Sequence, residues 1–139
     1  MVPPPKLDGT RLRHALVADG CIITGAEIER SIVGVRGVVH AGCEIRDSIL
    51  MGYDHYCPGD PELPGARSPS SSCLLLGVGR GCRIEGAIID KNAAIGEGTT
   101  IIGRPGSGVD ADTHTYHIRD GFVIVPRDQA LPPATEIRV

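Results

Sequence analysis

The chain has 139 residues and a hydrophobic fraction of 41%, a length and apolar content that suit one folded domain. Its formal charge is −3, from 14 basic and 17 acidic residues in mixed order, which gives no field to gather a polyanion and excludes a nucleic-acid-binding class. No apolar run approaches the roughly 18 residues of a membrane span, and the start Met1-Val2-Pro3-Pro4-Pro5-Lys6 lacks a signal-like stretch, so the expectation is a cytoplasmic protein without membrane partners.

In chain order, residues 1–11 are Pro-rich and read as the end of a linker, followed by a domain over 12–139. From Leu12 one short element recurs four times, starting at Leu12, Ile28, Ile45 and Ile84; each copy reads aliphatic, two polar, small, two aliphatic. The starts lie 16, 17 and 39 residues apart, and the last spacing reads as two 17-residue periods with 5 residues added. Aliphatic residues also recur every six positions, at Val33, Val39 and Ile45 and again at Ile89, Ile95 and Ile101. A chain that turns inward three times per 17 residues winds a triangular coil, so the expected class is all-β, a parallel hexapeptide-repeat solenoid. With no Trp and one Phe against 19 Gly, the composition fits a narrow prism of Ile, Val, Leu, Ala and Cys, its corners turned at Gly34, Gly37, Gly42, Gly52, Gly96, Gly98 and Gly103. The rival, a β-sandwich, needs longer runs of two-residue alternation than the sequence holds.

The pattern breaks over about 51–73, a Pro-, Gly- and Ser-rich stretch read as a loop insertion, and resumes from about Leu74 to Gly103. After a second loop-like stretch, 104–115, the segment from Tyr116 to Val125 predicts a terminal strand pair turning at Asp120-Gly121, and Pro132-Pro133 precedes a short last strand over Ile137 to Val139. Helix is expected to be nearly absent. The five cysteines (Cys21, Cys43, Cys57, Cys73 and Cys82) form no CxxC pair, which suggests neither a disulfide framework nor a zinc knuckle. Cys21, Cys43 and Cys82 share a Gly-Cys frame just ahead of Ile, a place for a small buried side chain.

The strings Ser31 to Gly37, Glu44 to Gly52 and Ala87 to Gly96, above all Ile88-Ile89-Asp90-Lys91-Asn92-Ala93, resemble the carboxy-terminal domain of glucose-1-phosphate adenylyltransferases of the plant and cyanobacterial type. Tyr116 to Gly121 and Val123 to Asp128 resemble that family's closing segment. The resemblance implies a left-handed winding, which general crossover rules do not supply. It also implies a regulatory and oligomerisation role in an enzyme that makes ADP-glucose and pyrophosphate from ATP and glucose 1-phosphate. The implied partners are a nucleotidyltransferase catalytic domain, further homo- or hetero-oligomer subunits and a phosphorylated sugar-metabolite effector. No Gly-rich nucleotide loop occurs in this sequence, so this chain by itself is expected to be non-catalytic and to need no cofactor, Mg2+ being expected only in the catalytic domain.

By the same resemblance Lys91, in the Asp90-Lys91-Asn92 corner, falls on an effector-binding lysine, and Arg127 stands where a second lysine is expected, with Gln129 as one extra residue after Asp128. Two cations in one cleft hold a dianion better than either does alone, and Arg adds a two-pronged grip that Lys lacks. Arg36, Arg80, Arg83 and Arg119 are further candidates for the same anion. The second functional reading is a stand-alone hexapeptide-repeat acyltransferase using an acyl-coenzyme A, with His40, His55, His114 or His117 as its base, all four expected at corners or in loops. A third is a separate non-catalytic subunit that binds and regulates a complete enzyme.

Overall fold

The computed structural model describes residues 6–53 and 77–139, in which the regular secondary structure is short β-strand throughout. Three sheets form the walls of a triangular prism, and consecutive strands pass from wall to wall in rotation. On the first wall Leu7, Ile23, Val39, Val78, Ile95 and Leu131 stack in register through parallel pairing. The second wall stacks Leu12, Ile28, Ile45, Ile84, Ile101 and Ile137 in the same way. The third stacks Val17, Val33, Leu50, Ile89 and Val125. These columns fill the prism: Ile23, Ile28, Ile45, Ile84 and Ile101 are all 1% exposed or less. Burial of aliphatic surface against the coil above and the coil below is what holds a stack whose strands run only two to four residues.

Each corner also buries a small side chain two positions before the inward aliphatic. Ala26, Cys43, Cys82 and Thr99 precede the second wall, and Ser31, Ser48 and Ala87 precede the third. The serines form a ladder: Ser48 N donates to Ser31 Oγ at 3.2 Å, and Ala87 N donates to Ser48 Oγ at 3.2 Å. Their hydroxyls donate back to Glu29 O and Arg46 O, so the polar atoms taken into the corner are paired.

Three sequence expectations change. Lys6–Asp8 is a strand of the first wall, so the linker reading fails for residues 6–11. Ile45 pairs directly with Ile84, so the 39-residue spacing is one coil carrying 22 residues beyond the usual 17, not two coils with 5 added. Met51 to Tyr53 also belong to the coil, because Met51 N donates to Ile89 O and Tyr53 N to Val35 O; the rest of the expected 51–73 insertion lies outside the described residues. The Asp120-Gly121 turn forms as expected between His117–Arg119 and Phe122–Val125, with both turn residues at positive φ, 49° and 80°. Phe122–Val125 then returns to the solenoid in parallel with Ala87–Ile89, and Ala130–Leu131 and Glu136–Arg138 continue it. The strand pair therefore sits inside the last coil, extending the third wall through antiparallel His117–Arg119 and Ala111–Asp112.

The outer faces differ. On the second wall Arg13, Glu29, Arg46 and Glu85 alternate in sign down one row, Arg46 lying 3.7 Å from Glu29 and 3.8 Å from Glu85. On the third wall the corresponding row is Leu16, Ile32, Ile49, Ile88 and Ile124, with Leu16 68%, Ile32 43% and Ile49 38% exposed. No helix of the described residues is long and apolar enough to cross a membrane.

Candidate anion-binding corner

The corner between the third and first walls carries the predicted site. Because Ile89 is in register with Val125, Asp90, Lys91 and Asn92 lie over Pro126, Arg127 and Asp128 on the next coil, and Asp128 N donates to Lys91 O at 3.0 Å. Thirty-six residues apart in sequence, Lys91 and Arg127 thus leave the backbone from equivalent points of adjacent coils, spaced by about 4.8 Å as parallel strands are.

Asp90 shapes this corner. Its carboxylate accepts the N–H of the next residue, Lys91, at 2.7 Å, which fixes the backbone from which the lysine departs. Asn92 and Asp128 both take positive φ, 59° and 60°, the left-handed conformation that short polar side chains tolerate. Gln129 lies in register with Ala93, since Ala94 N donates to Gln129 O at 2.9 Å, so within this chain it lengthens nothing: the corner equals the one above it.

Of the further arginines, only Arg36 shares the corner. It lies two coils from Lys91, and its Nη1 donates to Tyr53 O at 3.3 Å. Arg80 turns a different corner, Arg83 lies on the second wall 3.4 Å from Glu85, and Arg119 pairs with Asp112 at 2.7 Å on the antiparallel extension. The histidines do not converge. His40 is buried beside the first wall; His117 lies in a strand rather than a corner, 2.8 Å from Asp112; His114 is exposed; His55 lies outside the described residues. Hydrogen bonds from His117 and then Arg119 hold the Asp112 carboxyl below the usual carboxylate range. Among the described residues no group of three or more His, Cys, Asp or Glu is placed to hold a metal ion.

Sequence reasoning missed the aliphatic row on the third wall. The signal was present: each copy of the repeated element ends in two aliphatic residues, and on a strand only one of two neighbours can point inward.

A parallel β-helix of this register, with stacked small-residue corners, defines a class of hexapeptide-repeat solenoids. The chain belongs to the GLGC left-handed parallel β-helix domain family, which it matches over residues 1–135. It is also 33% identical over 131 residues to the glucose-1-phosphate adenylyltransferase large subunit 1, chloroplastic/amyloplastic, of Zea mays. That alignment covers 94% of this chain and 25% of the maize protein, so the chain spans about a quarter of its relative's length. The family supplies the left-handed winding.

Proposed function

We propose that this β-helix is the regulatory and oligomerisation domain of a glucose-1-phosphate adenylyltransferase. The observation that carries the reading is the stacking of Lys91 on Arg127 at one corner bordering an exposed aliphatic row, within a chain of this family. The effector is a phosphorylated sugar metabolite, whose dianion is held by the two cations while Asp90 keeps the lysine's backbone in place. The aliphatic row of Leu16, Ile32 and Ile49 receives a catalytic domain or a second subunit, since a contiguous apolar face of this kind is rarely left in water. Regulation follows if the anion is bound better in one arrangement of the domains than in another.

The test is Lys91→Glu in the complete enzyme. Removing one of two paired cations and adding a carboxylate raises the concentration of sugar-phosphate activator required by about tenfold or more, a loss of at least about 1.4 kcal/mol of binding. Basal activity and the circular dichroism spectrum stay unchanged. A folded variant with the parental activator response removes Lys91 from the site.

A further inference from the structure

The third coil (Val38 to Leu50) and the fourth (Gly77 to Ile89) carry a thiol at the same buried corner. Glu44 is in register with Arg83 and Ile45 with Ile84, which sets Cys43 directly over Cys82. Glu44 N donates to Cys82 O at 2.9 Å and Gly81 N donates to Ala41 O at 3.0 Å, so the two backbones are clamped on both sides of the pair. Ala26 and Thr99 occupy the same place on the coils beyond, and Cys21 sits at a different corner.

We propose that Cys43 and Cys82 are an oxidation site, a dithiol that a small hydroperoxide converts to a reversible disulfide stapling the third coil to the fourth. Parallel neighbours hold equivalent Cα atoms about 4.8 Å apart, inside the window of about 4.4–6.8 Å that a disulfide spans, so the backbone is already placed and the side chains need only turn toward each other. The reduced thiols have somewhere to turn from: Cys43 Sγ donates to Gly79 O at 2.9 Å and Cys82 Sγ to Gly96 O at 3.2 Å. Each residue is 1% exposed, which favours a reagent as small as hydrogen peroxide over a bulky disulfide. The two thiols are equally buried, so either can open the sequence, and Cys82 is taken as the first to react.

The electrons balance over two steps. The Cys82 thiolate attacks one peroxide oxygen, the O–O bond breaks, and the departing hydroxide takes the thiol proton as water, leaving a sulfenic acid. Cys43 sulfur then attacks Cys82 sulfur, the S–O bond breaks, and the second water leaves with the Cys43 proton. Two thiols are oxidised, and one peroxide is reduced to two waters.

The experiment uses the full chain with Cys57→Ser and Cys73→Ser, which removes the two thiols outside the described residues. The native protein is treated with hydrogen peroxide, denatured, alkylated and mapped by mass spectrometry without reduction. The expected result is loss of two of the three alkylatable thiols and a Cys43–Cys82 peptide pair two hydrogens lighter, which dithiothreitol restores, with Cys21 still alkylated. Adding Cys43→Ala abolishes the linked peptide; Ala26 fills this place one coil earlier, so that variant keeps the corner small. Full alkylation of Cys43 and Cys82 after peroxide, or sulfinic acid at either without a linked peptide, overturns the proposal.

Discussion

Replacing Ile84 with Ala tests the prism most directly. Ile84 is fully buried, with Ile45 stacked on one side and Ile101 on the other. The substitution removes three carbons, worth about 2.4 kcal/mol of transfer free energy at about 0.8 kcal/mol each. To this is added the cavity, which the walls cannot close, because their spacing is fixed by backbone hydrogen bonds above and below. The expected loss is about 4 kcal/mol, toward the upper part of the range for such truncations. Leu12→Ala makes an equivalent change in the same column, but Leu12 is 39% exposed and has a register partner, Ile28, on one side. It is expected to cost about 1–1.5 kcal/mol, since water already reaches the site and half the packing is absent. Urea unfolding followed by circular dichroism, with midpoints compared at a common slope, measures both. Equal losses at the two positions, or a loss under about 1 kcal/mol at Ile84, would refute the stacked-column account of stability.

Two further substitutions probe the corners and the buried phenol. A Cβ added at Gly96 would lie 2.6 Å from Pro132 C and 2.7 Å from Leu131 O, backbone atoms of the next coil that cannot swing away, so Gly96→Ala is expected to cost about 3 kcal/mol. Gly98→Ala meets nothing within 4 Å and suffers only its φ of +72°, a cost of about 1–2 kcal/mol; thermal unfolding ranks the two, and the reverse order sinks the explanation. Tyr53 donates its hydroxyl to Ala93 O at 2.6 Å, and burial pushes its phenol well above the usual range. Below the unfolded phenol's value, about 10, both states keep the proton. Above it the unfolded state ionises while the folded state resists, so stability falls as pH rises. Tyr53→Phe is expected to lose about 1–2 kcal/mol at neutral pH and to flatten this alkaline decline, read by denaturant midpoints on either side of pH 10.

The triangular section was legible because the inward aliphatics recur every six residues, and a wall that short has no other way to bury them. What periodicity could not resolve was the 39-residue gap, since a coil with an unrecognised sequence and a detour from a single coil leave the same spacing; only the pairing of Ile45 with Ile84 separates them. Ile32 and Ile49 were hidden for a related reason, because an outward Ile beside an inward Val or Leu looks like one apolar pair. Glycine was read as the residue that turns the corners, yet Arg36, Asn92 and Asp128 take positive φ at theirs, while Gly34 is required instead by the Met51 backbone, 2.6 Å from where a Cβ would lie. Lys91 and Arg127 were named from resemblance, and the 36 residues between them gave no hint that register would set one on the other.

The direct pairing of Val39 with Val78 and of Ile45 with Ile84 has a practical reach. Since the coils on either side pair directly, their register needs no rung supplied from between Tyr53 and Gly77, and a flexible insert that doubles a connection's length costs only about 0.6 kcal/mol in closure entropy. The junction is therefore a natural port, where an epitope, a fluorophore or a whole guest domain can be spliced in while the prism beneath keeps its register.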